Sequence, residues 1–154
     1  MKKITPNLWY NKEAKEATQF YVSIFPNSKI TSIQTITNTP SGDCDIVSFT
    51  LNGQPFMAIS AGPIFKLSEA VSFIITCENQ KEIDYYWEKL SAVPESEQCG
   101  WCKDKFGLSR QVVPAAMEKL MKTTDKAKLD RITQAFLKMK KLDIKMLEYA
   151  AKGK

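Results

Sequence analysis

Two thiols, Cys99 and Cys102, stand three residues apart in the stretch CGWCKDKFGLSRQ. That is the spacing of a dithiol redox centre, or of half a zinc knuckle, provided both sulfurs emerge on one side, as at a helix N-terminus. Here QCGWCKD reads as a strand, KFG as a tight turn and LSRQVV as a last strand. Residues three apart on a strand face opposite ways, so the two thiols are expected to diverge. Cys44 and Cys77 lie in other segments, and the chain has no histidine, so a tetrahedral zinc site would have to gather all four cysteines. The missing histidine also removes Ser-His-Asp and Cys-His nucleophile systems. All four cysteines are therefore read as small, packed, reduced thiols. Two carboxylates, Asp104 and Glu69, stand near strand ends, from which such groups can reach a pocket and do acid-base work. At such positions carboxylates are more commonly solvated.

The elements that must position these groups follow from periodicity. ITPNLWY reads as a strand, and Asn11 after it is a favoured N-cap. Ala14, Ala17, Tyr21 and Ile24 then recur at three- and four-residue steps on one helix face, and Pro26-Asn27 stops the helix. Three strand-like runs follow, KITSIQTI, DIVSFTLNG and PFMAISAG, with Asn52-Gly53 favouring a tight hairpin between the last two. The order then restarts, with AVSFIITCE as a strand and NQKEIDYYWEKLSA as a helix. The helix opens on a capping-box-like Asn79 and Glu82 and carries the stripe Ile83, Tyr86, Trp87 and Leu90. A shift of 69 residues lays Lys12-Glu13 on Lys81-Glu82, Ala14 on Ile83 and Tyr21 on Leu90. So long a period indicates two copies of one unit, strand, helix, then antiparallel strands, and the second copy is short of one strand. From Pro114 the pattern turns helical, with stripes at Leu129, Ile132, Phe136 and Met139 and at Ile144, Leu147 and Ala151 that should cover a sheet or a neighbouring subunit.

With 154 residues, 44 % hydrophobic and 25 % charged, the chain suits one soluble globular domain. The start, MKKITPNLWYNKEAKEA, has no signal-like apolar run, and no stretch is long and apolar enough to span a membrane. A cytoplasmic location is expected. Of the formal charge of +5, residues 119–154 contribute eleven Lys/Arg against four Asp/Glu, so the basicity belongs to the tail. No aromatic residues alternate with those cations, which argues against a nucleic-acid partner and for solvated lysines.

Three stretches carry a resemblance: ITPNLWYNKEAKEATQFYVSIFPNSKI, FMAISAGPIFKLSEAVSFIITCENQKEIDYYWEKLS and QCGWCKDKFGLSRQVVP, together with the tail AFLKMKKLDIKMLEYA. They resemble the glyoxalase/bleomycin resistance/dioxygenase superfamily, the vicinal oxygen chelate proteins, and within it the PhnB-like group described as 3-demethylubiquinone-9 3-methyltransferase. The resemblance implies an α+β fold in which two βαβββ-type modules, the second one shortened, form a half-open barrel around a cavity, often in a homodimer. The expected divisions of the single 1–154 domain are 1–62 and 63–113 for the modules and 114–154 for a helical extension. In metal-using members four inward positions hold His, Gln or Glu. By resemblance these fall at Asn7, Ser60, Ser72 and Gln111, the last lying four residues after Gly107, where the superfamily's terminal carboxylate usually lies. None is ionisable, and amide and hydroxyl oxygens make a poor site for a divalent transition metal. The expectation is therefore a metal-free, cofactor-free protein that binds a small organic ligand through Asn7, Trp9, Ser60, Ser72, Trp101 and Gln111. Phe56 and Phe73 are further aromatic candidates, each also suited to core packing. Arg110 stands where the group usually has Trp. The methyltransferase description finds no Gly-rich strand-to-helix loop to cradle a nucleoside cofactor. The alternatives are an enzyme of the superfamily using Asp104 or Glu69, and a dimeric module whose basic helices meet an acidic partner.

Overall fold

Strand β1 (Asn7–Tyr10) runs into helix α1 (Ala14–Ile24), after which β2 (Lys29–Thr39), β3 (Gly42–Leu51) and β4 (Gln54–Ser60) complete a four-stranded sheet in the order β1-β4-β3-β2. The computed structural model describes residues 4–153, so Met1, Lys2, Lys3 and Lys154 lie outside the described residues. β1 is parallel to β4, and the other pairs are antiparallel. Strand alternation sends Leu8, Tyr10, Val47, Phe49, Phe56 and Ala58 to one face, where they are buried under the α1 stripe of Ala14, Ala17, Tyr21 and Ile24. The Tyr10 and Tyr21 hydroxyls share a hydrogen bond of 2.9 Å in that core, and Phe49 stacks on Phe56. Asn52 and Gly53, both at positive φ (46° and 75°), make the β3–β4 turn in the mirror-image form that suits strand twist. The helix start departs from the sequence reading: Asn11 does not cap α1. Glu13 occupies the N-cap without a side-chain bond to the helix, and the Ala14 N–H instead donates to Ser60 Oγ at 3.1 Å.

The second copy comprises β5 (Phe73–Cys77), α2 (Gln80–Leu90), a 3-10 turn (Pro94–Ser96), β6 (Trp101–Lys103) and β7 (Ser109–Pro114), in the order β5-β7-β6. β5 is parallel to β7 and β6 antiparallel to it, so this is the first topology without the outer strand β2. Asn79 Oδ1 accepts the Glu82 N–H, and the Glu82 carboxylate accepts the Glu78 N–H, a capping box displaced by one residue. The sequence-predicted strand QCGWCKD is extended only from Trp101. Cys99 (φ 53°) and Gly100 (φ 87°) form a turn through which Gln98 bridges back to Trp101. A Cβ at residue 100 would lie 2.9 Å from the Val112 carbonyl oxygen and against Leu142, so the position requires glycine.

Beyond β7, α3 (Ala116–Met121), α4 (Lys126–Leu137) and α5 (Ile144–Lys152) carry the basic tail. Asp125 and Asp143 cap α4 and α5, Ile132 and Leu147 are their buried anchors, and Leu142 is buried in the link between them. The link between α4 and α5 docks on the second copy. Its Met139 and Lys140 carbonyls accept the Cys99 and Gly100 N–H groups, each at 2.8 Å, and the Gln80 side chain donates to Leu142 O and accepts from Ile144 N–H. The chain divides into two compact units, Met1–Leu67 and Ser68–Lys154, the second holding all three terminal helices. No helix among the described residues is long and apolar enough to cross a membrane.

Candidate functional site

Each sheet buries one face under its helix and leaves the other less covered, and the candidate residues sort by that parity. In the first unit Asn7 and Trp9 share the less covered face with Met57 and Ile59, their register partners on β4. Trp9 is tied down by an Nε1–H bond of 2.8 Å to the Gly62 carbonyl and by an edge contact with Phe65, ring centroids 4.9 Å apart. Phe65 and Ile64 beside it are exposed. Ser60 does not join them. It pairs with Tyr10 on the opposite, helix-covered face, and its hydroxyl serves the start of α1. A one-residue displacement in mapping flips a strand residue across the sheet, so Ile59 occupies the face on which Ser60 was expected. Phe56 also lies on the helix-covered side, in the core.

In the second unit, cross-strand pairing sets Trp101, Gln111 and Ile74 in one row on the less covered face, and Lys103 opposite Ser109 in the next. Gln111 Nε2–H donates to Ser72 Oγ at 2.9 Å, so two of the expected residues are joined directly. Ile74 is 62 % exposed. Lys103 forms an ion pair with Glu69, and that hydrogen-bonded ammonium, helped by the residue's own backbone, holds the Glu69 carboxyl below its usual range. Ser109 lies two residues before Gln111 on β7 and so shares its face. It is buried, and its hydroxyl has no partner among the described residues.

On the other face Arg110, with Phe73 beside it across β5–β7, forms an ion pair with Asp104, both side chains almost wholly buried. The second carboxylate oxygen of Asp104 accepts the Phe106 and Leu108 N–H groups at 2.8 and 3.1 Å. Asp104 thus fastens the β6–β7 turn with both oxygens engaged, a structural arrangement rather than that of a base facing substrate. The residue reading missed this pair because its members lie six apart across a turn, and only the Asx-turn pattern of Asp104 and Gly107 signals it.

All four cysteines are free. Burial pushes the Cys77 thiol up to about 12, with Glu82 and Glu78 adding to it, and the Cys102 thiol up to about 11 despite the pull of Arg110. Cys99 sits in the turn, its Sγ near the Leu137 carbonyl. Among the described residues no group of three or more His, Cys, Asp or Glu is arranged to hold a metal ion. The four superfamily metal positions offer amide, hydroxyl or aliphatic groups here, and that donor set does not fit a transition metal.

The sequence model of the family described as 3-demethylubiquinone-9 3-methyltransferase matches residues 2–113, from before β1 to the penultimate residue of β7. The chain belongs to this family. Among solved members of the 3-demethylubiquinone-9 3-methyltransferase family, a PhnB protein from Bacillus cereus bearing the same description is 36 % identical, with a TM-score of 0.63 over 74 % of this chain and 100 % of that one. Two others agree in fold alone. The fosfomycin resistance protein FosX of Listeria monocytogenes is 14 % identical (TM-score 0.55, 79 % of this chain and 98 % of that one). Protein PA1353 of Pseudomonas aeruginosa is 16 % identical (TM-score 0.58, 74 % and 98 %). The family is thus structurally related to FosX and the glyoxalase-like proteins, an α+β fold with two mixed sheets and, in this chain, C-terminal helices beyond the matched region. No curated protein matches the chain.

Proposed function

We propose that this family member binds a small organic ligand, without a metal ion, in the half-open barrel that its resemblance to the glyoxalase proteins implies, and that it does so as a homodimer. The observation that carries the reading is the chemistry of the less covered faces. The face of the first unit presents Trp9, Met57 and Ile59, and that of the second presents Trp101, Ile74 and the Gln111–Ser72 pair, each mainly apolar with few neutral polar groups. Imidazole and carboxylate are missing from the positions where a metal-using relative would need them. The methyl-transfer description gains no support from the strand-to-helix connections, because residues 11–13 and 78–79 contain no glycine with which to approach a nucleoside. A native mass spectrum of the protein purified from its own cells tests the proposal. The expected result is a dimer carrying a small organic mass and no metal. One zinc, manganese or iron per chain would overturn it and return the chain to the metal-dependent enzymes.

A further inference from the structure

Ser109 lies between two polar neighbours on the less covered face of the second sheet. Lys103 is its register partner on β6, and Ser72 immediately precedes β5 on its other side. At 1 % exposure the Ser109 hydroxyl is almost completely removed from water, yet it has no hydrogen-bond partner among the described residues. Leaving a buried donor unmade costs stability, and such a group calls for an explanation. Ser72 accepts from Gln111, which leaves its own O–H free to donate. The Lys103 side chain is 21 % exposed and that of its ion-pair partner Glu69 is 56 % exposed, so the carboxylate is the more accessible member of the pair.

One half-buried cation beside two hydroxyl donors is the complement of an anion, and the exposed Glu69 carboxylate occupies that role in part. We propose that Lys103, Ser109 and Ser72 bind the anionic headgroup of the ligand, a carboxylate, phosphonate or phosphate monoester that displaces Glu69 from Lys103, while an apolar body lies on Trp101 and Ile74. This rests on the ligand-binding reading above and narrows it to amphipathic anions. The exchange moves Glu69 to solvent and makes no covalent bond. In return the Ser109 hydroxyl gains the acceptor it lacks.

The test is an NMR titration of the ¹⁵N-labelled full chain with phenylphosphonate, benzoate and neutral benzyl alcohol, following the Trp101 indole and the Ser109 and Gln111 amides. The two anions should shift these signals saturably. Lys103→Met and Ser109→Ala should each weaken anion binding about tenfold, and Glu69→Gln should strengthen it by removing the competing carboxylate. Ser109→Ala should also be at least as stable to urea as the parent, because it deletes an unpaired buried hydroxyl. Unchanged anion affinity in Ser109→Ala, weaker binding in Glu69→Gln, loss of stability in Ser109→Ala or shifts confined to the tail lysines would each overturn the proposal. Saturable benzyl alcohol binding that equals benzoate in all variants would overturn the anion site while leaving a small-molecule cavity standing. No saturation by either anion also overturns it, and the mass of the natural ligand then judges the broader reading on its own.

Discussion

Asp104 and Arg110 show how a charged pair can be wholly structural. Arg110 is 2 % and Asp104 1 % exposed, so removing one partner strands the other in a low-dielectric interior. Asp104→Asn retains an acceptor for the Phe106 and Leu108 amides and isolates the charge effect. It should cost about 3 kcal/mol in urea denaturation, and much of that loss should be recovered in the Asp104→Asn/Arg110→Met double variant. A neutral Asp104→Asn would mean the pair is not what holds the turn. The thiols give a second prediction. With Cys77 and Cys102 raised to about 12 and about 11, a thiol reagent at neutral pH should modify Cys99 and leave those two unreactive until the protein unfolds. Rapid modification of Cys102 in the native state would revive a dithiol role. Because the folded Cys77 thiol ionises above its ordinary value of 9.0, its contribution to stability is complete below about pH 9 and is lost as pH rises toward 12. Cys77→Ala should therefore show the shallower alkaline loss of stability.

Among the elements, the turn at Cys99-Gly100 links more of the second unit than its length suggests. Its two N–H groups hold the α4–α5 link, and the Gly100 carbonyl accepts the Val112 N–H of β7 at 2.8 Å. Gly100→Ala meets both a positive φ and a contact with backbone, so it should destabilise by about 2 kcal/mol or more. Hydrogen exchange should quicken in residues 138–143 and stay unchanged in β1–β4. Equal protection throughout would show that the link is held by Gln80, Lys140–Glu97 and Lys141–Asp84 instead. The second sheet tolerates the loss of an outer strand because the Lys103 carbonyl is already satisfied by the Ala92 N–H and Gln98 exchanges bonds with Trp101.

For the molecule as a whole, the family match ends at residue 113, and the charge asymmetry begins soon after it. Part of that basic tail is engaged within the second unit, where Lys140 and Lys141 reach Glu97 and Asp84, and lysines so placed tie a helix link to its sheet. The native mass spectrum belongs to this scale. Subunit mass, ligand mass and metal content come from one measurement, and a monomer with no added mass would count against both the homodimer and the resident ligand.

Local sequence determined α1 and its stripe, the Asn52-Gly53 hairpin and the Asn79–Glu82 cap, because these depend on neighbours within a few residues, and the 69-residue period determined the repeat with a strand missing from its second copy. The histidine-free composition likewise set the limits on chemistry. Tertiary structure decided which way each site residue faces. Register placed Ser60 under α1 and joined Gln111 to Ser72, since a strand's parity is fixed only by the partner it pairs with. It also buried Asp104 against Arg110 and left Ser109 without an acceptor among the described residues, because burial and hydrogen-bond satisfaction are sums over residues distant in the chain.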